Sequence, residues 1–319
     1  MFWGTARFLR PKRRAAALAL TAALVVGMTL PAFADTWFIE DGNISISAGE
    51  SGNHVEQGDK KQDETTETII TNRESTASSN SVTIEAGAGK TVNVTLDNVN
   101  INTSETGGAA VSVTGKGDTN IELDGNNTLT SGYYHAGLEH NKTDDSGTLT
   151  ITDNNNDGKL TANGGYKGAG IGGGNEKDGQ VTITGGEIIA NGGDGSAGIG
   201  GGYFGNGTVK ITDGDITEKV TGYYGAGIGG GSSGNGTVTI SGGTITEASG
   251  GYEGAGIGGG SSGLGNVSIE GNVTIKNAQG GVGAAGIGGG ARGTSDAAGN
   301  GNKISIKSTA AGSPNITAK

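Results

Sequence analysis

Cysteine is absent from all 319 residues. Disulfides and thiolate metal sites are excluded, so packing and hydrogen bonds alone must hold the fold. Proline is nearly missing, with three residues, and aromatic residues make up only 4% of the chain. A core of large rings is therefore unavailable, and any cluster of aromatic side chains stands out. Positive charge is also scarce, at 21 Lys and Arg against 32 Asp and Glu. Nucleic acids and anionic membrane surfaces require a basic stripe that releases counterions, and neither is expected as a partner. Long apolar runs are lacking too, apart from Ala15 to Leu30 near the start.

That run has the flanks of a secretory leader. Arg7, Arg10, Lys12, Arg13 and Arg14 precede it, and Ala32-Phe33-Ala34 offers a small-x-small cleavage site before Asp35. No later segment approaches the roughly 18 apolar residues of a membrane helix, so membrane insertion is not expected. Residues 1–34 are read as a signal peptide, and the remainder as secreted, extracellular, and either released or held at the cell surface. Five of the 21 basic residues lie in the leader, so the rest of the chain carries 16 against 32 acidic ones, a net of −16.

Glycine is abundant, with 68 residues, and such a composition alone would suit a disordered chain. Periodicity argues otherwise. Ala-Gly-Ile-Gly-Gly-Gly begins at Ala169, Ala197, Ala226, Ala255 and Ala285, placing Ile171, Ile199, Ile228, Ile257 and Ile287 at spacings of 28, 29, 29 and 30. A second apolar register runs through Leu149/Ile151, Val181/Ile183, Val209/Ile211, Val238/Ile240 and Val267/Ile269. A third runs through Leu160, Ile188, Ile216, Ile245 and Ile275. Three short apolar stations between glycine-rich corners describe one turn of a triangular solenoid. Helical repeats are ruled out, because glycine costs a helix about 1 kcal/mol per residue relative to alanine.

The fold expected is all-β, a right-handed parallel β-helix of roughly seven to eight coils over residues 81–290. Upstream, Ala110-Val111-Ser112-Val113 and His135-Ala136-Gly137-Leu138 hold the place of the Ala-Gly-Ile station. Residues 35–80 read as an N-terminal cap with a polar loop from Gly49 to Glu67, and residues 291–319 as a C-terminal cap or last irregular coil. A covered end is required because bare strand edges invite aggregation.

The run Val94-Thr95-Leu96-Asp97-Asn98-Val99-Asn100-Ile101, then Ile121-Glu122-Leu123-Asp124-Gly125-Asn126-Asn127-Thr128-Leu129, then the Ala-Gly-Ile-Gly-Gly-Gly repeats, carries a resemblance. Over about residues 80 to 290 the chain resembles secreted β-helical proteins of Gram-positive, Firmicutes-type gut bacteria described as carbohydrate-binding domain proteins. The resemblance implies a β-helix and a polysaccharide partner of plant, host or bacterial origin.

The residues themselves offer an aromatic file. Five positions before each station isoleucine, or Leu138, stand Tyr133, Tyr166, Asp194, Tyr223, Tyr252 and Val282. Equivalent positions stack in a solenoid, so Tyr133, Tyr166, Tyr223 and Tyr252 are expected to form a tyrosine strip on one corner, interrupted at Asp194. Tyrosine faces suit the apolar faces of sugar rings while the hydroxyl hydrogen-bonds. Corner protection by plain stacking explains the same file. Tyr134, Tyr224 and the Tyr203-Phe204 pair would widen it.

Metal is a second candidate. Asp153-Asn154-Asn155-Asn156-Asp157-Gly158 matches the opening of a calcium loop, with Asp153, Asn155 and Asp157 as ligands, but Gly164 replaces the closing glutamate. A Ca²⁺-stabilised corner and an ordinary Asx-rich turn both fit, and no cofactor is required. Glu187 is expected to stack on Asp215, and Glu218 on Glu247.

Catalysis is not expected. Polysaccharide lyases need a basic proton acceptor, and beyond Arg73 the only arginine is Arg292. Hydrolases need converging carboxylates, for which Glu187, Asp213 and Asp215 form the sole cluster. His135, Glu139 and His140 lie together but read as packing or surface residues. A non-catalytic carbohydrate-binding protein is the function expected, with an adhesive protein recognising a protein partner as the alternative.

Overall fold

The structure, a computed structural model, describes residues 35–50, 52–64, 67–220, 224–293 and 301–319. The expected signal peptide, residues 1–34, lies outside them. Three sheets of ten, eight and eleven strands run the length of the solenoid, and neighbours within each sheet are about one coil apart in sequence. Among the described residues the strands pair in parallel except for those of one hairpin near the N-terminus. The result is an all-β parallel solenoid of about eight turns. No helix among the described residues is long and apolar enough to cross a membrane.

The three registers seen in the sequence are the three interior files. In the first sheet Val181, Val209, Val238 and Val267 stand directly over one another. Leu160, Ile188, Ile216, Ile245 and Ile275 do so in the second. Ile171, Ile199, Ile228, Ile257 and Ile287 do so in the third. All of these are buried except Ile287, which the last coil leaves partly covered. Burying one such side chain stabilises by roughly 1.5–3 kcal/mol, and like-on-like stacking repeats that contribution coil after coil.

The third sheet explains why its strands read Ile-Gly. Gly172, Gly200, Gly229, Gly258 and Gly288 have φ between +130° and +143°. A Cβ on any of the first four would stand 1.8–2.1 Å from the carbonyl oxygen of the next glycine in the file. Only glycine fits both the backbone conformation and the space.

Residues 35–80 are more than the expected cap. Thr36–Phe38 pairs in parallel with Thr68–Thr71, which pairs with Thr91–Asp97, and Ile44–Ala48 pairs with Val82–Ala86. The solenoid therefore begins near Thr36 rather than Ser81. The stretch read as a polar loop is a hairpin, Asn53–Gln57 with Lys60–Glu64, that adds antiparallel strands to the outer edge of the third sheet. Its polar sequence misleads because it covers an edge. Asn53 turns inward, donating to Thr68 Oγ1 at 2.9 Å and to the Asn93 carbonyl at 2.7 Å. Trp37 is fully buried at this end, with Lys60 Nζ 3.7 Å from its ring centroid.

The C-terminal segment forms the last rungs. Lys303–Lys307 pairs with Gly265–Glu270, and Asn315–Ala318 with Thr274–Gln279. Nothing further stacks on them among the described residues, and Ile304 and Ile306 are 43% and 52% exposed although aligned with the buried Val267 and Ile269. One register differs from expectation. A bulge after Ile216 sets Thr217 opposite Glu247 and Glu218 opposite Ala248, so the two glutamates do not face each other.

Candidate functional site

The tyrosine corner lies just before the third-sheet strands. Tyr133 and Tyr166 sit on successive coils with ring centroids 6.1 Å apart, tilted by 56°. Tyr134 joins both, at 6.3 Å from Tyr133 and 6.1 Å from Tyr166. The three rings are 66%, 51% and 43% exposed. They form a faceted patch, with neighbouring rings inclined by 56° to 63°. Tyr252 is exposed at the same corner farther along, beside a shallow groove with Ser249, Gln279 and Val282. Tyr223 lies outside the described residues.

The break at Asp194 is filled from another part of the coil. Tyr203 follows the Ile199 strand, and a Cβ on Gly195 would stand 2.4 Å from its ring. The residue after Asp194 is thus glycine because a tyrosine ring lies over it. Tyr203 packs against Phe204 with centroids 3.9 Å apart. Lys167 Nζ lies 4.3 Å from the Tyr203 ring and 5.4 Å from that of Tyr166, joining the two groups. Backbone bonds fix the arrangement, Tyr134 N–H to the Tyr166 carbonyl at 2.9 Å and Tyr203 N–H to the Lys167 carbonyl at 3.1 Å.

Backbone strain concentrates here. Of six non-glycine residues with positive φ among the described residues, Tyr134 (71°), Lys167 (66°), Glu176 (58°) and Phe204 (62°) belong to this patch or adjoin it, while the others are asparagines, which tolerate that region. Gly195 and Gly283, at the positions equivalent to Tyr134 and Lys167, take the same conformation with glycine. Bulky side chains held in this conformation cost on the order of 1–3 kcal/mol each and collect at binding sites.

The same coil departs from the repeat in a second way. Glu139 stands opposite Gly172, in the file that is glycine from there onward. Its carboxylate is 8% exposed and accepts from His135 Nδ1 at 2.9 Å, Ala136 N–H at 3.1 Å and Asn141 Nδ2 at 3.0 Å. His140 is buried, with Nδ1 2.7 Å from the Gln180 carbonyl, and burial pushes its pKa down, so it is neutral near pH 7. From the sequence Glu139 reads as a packing or surface residue. The signal was there in the glycine that every later coil carries.

The expected calcium ligands Asp153, Asn155 and Asp157 share one corner turn. Asp157 N–H donates to Asp153 Oδ1 at 3.2 Å and to Asn155 Oδ1 at 3.4 Å, the pattern of an Asx-type turn. Asn154 is tied by its N–H and Nδ2 to Glu122 on the preceding coil. Among the described residues no group of three or more acidic, histidine or cysteine side chains is arranged to hold a metal. The Asp157 carboxyl meets Asp124, whose own pKa is raised by burial and then by the charges of Asp97 and Asp157. Glu187 does stack on Asp215, and Lys159 Nζ, 2.5 Å from Glu187, offsets the repulsion. Asp213 lines the open groove beside them.

A family model described as a beta helix repeat matches residues 155–175, 181–203 and 238–261. These spans hold Tyr166, Lys167 and Tyr203, and they agree with the stacking in making this a β-helix repeat protein. No curated protein and no solved structure matches the chain.

Proposed function

We propose that this is an exported, non-catalytic β-helix that binds an extended, neutral polysaccharide at the aromatic corner. The observation that carries the reading is the patch of exposed Tyr133, Tyr134, Tyr166 and Phe204 with the half-buried Tyr203, held partly by residues in a strained backbone conformation. A fold that only needed to close its corners would use glycine, as it does at Gly195 and Gly283. Exposed tyrosine faces stack on sugar rings and keep a hydroxyl for hydrogen bonding. Neutral glycan is favoured because a net of −16 outside the leader opposes a polyanion. Facets spread over successive coils suit a ligand longer than one sugar, so affinity should rise with chain length.

A glycan-array screen of residues 35–319, run with calcium and with chelator, tests the reading. Tyr133→Ala combined with Tyr166→Ala should weaken binding to the best glycan at least tenfold, about 1.4 kcal/mol, with little change in melting temperature. Undiminished binding by the double variant, or no glycan bound by the parent protein, overturns the proposal in favour of an adhesive protein that recognises a protein partner.

A further inference from the structure

We infer that His135, fixed by the buried carboxylate of Glu139, is the residue that selects among sugars at the aromatic corner. The inference rests on the carbohydrate reading and adds to it a polar determinant that stacking alone does not supply. Tyrosine faces accept many pyranoses, because stacking senses an apolar ring face rather than the orientation of one hydroxyl. Selectivity needs a directional group beside the rings. Histidine 135 is the next residue after the Tyr133-Tyr134 pair, and its side chain is 38% exposed.

Its orientation is set from beneath. The Glu139 carboxylate is an acceptor, so His135 Nδ1 carries the proton in their 2.9 Å bond. In the neutral ring Nε2 is left as an acceptor on the opposite side, and it has no partner among the described residues. Glu139 is itself immobilised by Ala136 N–H and Asn141 Nδ2. Asn141 Oδ1 then takes the Gly174 N–H at 2.9 Å, tying the arrangement to the next coil.

Stacking does not require this construction. In the succeeding coils the positions of His135 and Glu139 are held by Gly168 and Gly172, then Ser196 and Gly200, then Gly225 and Gly229. Burying a carboxylate is costly unless donors surround it. The coil that accepts that cost also presents the exposed Tyr133 and Tyr134. The expected ligand is a neutral glycan with a hydroxyl that donates to Nε2 while its ring lies on a tyrosine.

The test uses residues 35–319 and isothermal titration with β-linked gluco-, manno- and galacto-oligosaccharides of equal length. One neutral hydrogen bond contributes about 1 kcal/mol net, equivalent to about fivefold in affinity. His135→Ala should lower affinity for the preferred sugar about fivefold, leave the others unchanged and so shrink the preference by the same factor. His135→Ala removes one of the three donors to Glu139 and should lower the melting temperature modestly, because Ala136 N–H and Asn141 Nδ2 still hold the carboxylate, and His135→Gln, which keeps an acceptor, should restore part of the preference. An unchanged preference in His135→Ala, with binding still lost in Tyr133→Ala/Tyr166→Ala, overturns this inference and leaves the carbohydrate reading standing. Absence of binding to all three series, together with no glycan bound on the array, overturns both.

Discussion

Ile228 sits at the centre of the third-sheet file, fully buried between Ile199 and Ile257. Replacing it with alanine removes three carbons from an interior with no solvent contact. At about 0.8 kcal/mol per buried methylene the transfer cost is roughly 2.4 kcal/mol, and the cavity left between two stacked isoleucines raises the total to about 3–4 kcal/mol. Rigid rungs above and below limit collapse, so the upper part of that range is expected. Ile228→Asp goes further, leaving an unpaired charge in the stack, and should prevent the surrounding coils from folding. Ile306 provides the internal comparison, since it occupies an inward station of the last rung yet is 52% exposed. Ile306→Ala should cost about 1 kcal/mol or less. Urea denaturation followed by far-ultraviolet circular dichroism measures both. A loss below about 0.5 kcal/mol at Ile228, or equal losses at Ile228 and Ile306, would show that this file is not the interior of a stack.

Two further outcomes follow from the backbone and from charge. Gly229→Ala should destabilise by more than about 2 kcal/mol, because its Cβ would stand 2.0 Å from the Gly258 carbonyl at φ +136°. Gly89→Ala, also at positive φ but with no neighbour within 4 Å, should cost only about 1–2 kcal/mol; equal losses in thermal melts would refute the steric account. Asp124→Asn should stabilise at pH 7 by about 0.5 kcal/mol, since Asp124 faces Asp97 directly and meets Asp157. A raised folded-state pKa means that Asp124 favours the fold below its unfolded pKa and loses that contribution as pH rises through the folded value. The advantage of the asparagine variant should therefore shrink on acidification below the ordinary aspartate range, and a gain that is constant with pH would refute it.

The repeat region was legible because its stations recur in step. Once Ile171, Ile199 and Ile228 are aligned, the partners of Leu160 and Val181 follow. The start of the solenoid was not legible, because Trp37, Ile39, Ile44, Ile46 and Ile70 are among the few buried apolar residues of coils whose other positions are mostly polar. The hairpin was hidden for a related reason, since Val55 and the polar Asn53 are its inward residues along with Gln57. At the candidate site, spacing placed Tyr133 beside Tyr166 and the Tyr203-Phe204 pair near them, but could not show that Tyr203 packs over Gly195 at the break in the file. Gly195 was the available clue. Glu139 was passed over because its position was compared with its neighbours in sequence rather than with the glycine file above it.

The rung-on-rung pairing also sets how far the chain must search to fold. Ile199 finds Ile228, and Val209 finds Val238, each about 30 residues on in a chain of 319. The relative contact order is thus on the order of 0.1, in the range of helical bundles rather than of β-sandwiches. Loop closure is paid one coil at a time, and each closed coil offers the next a finished edge. Few all-β chains of this length avoid long-range strand search in this way, and it is the regular spacing of the sequence, rather than the strength of any one contact, that permits it.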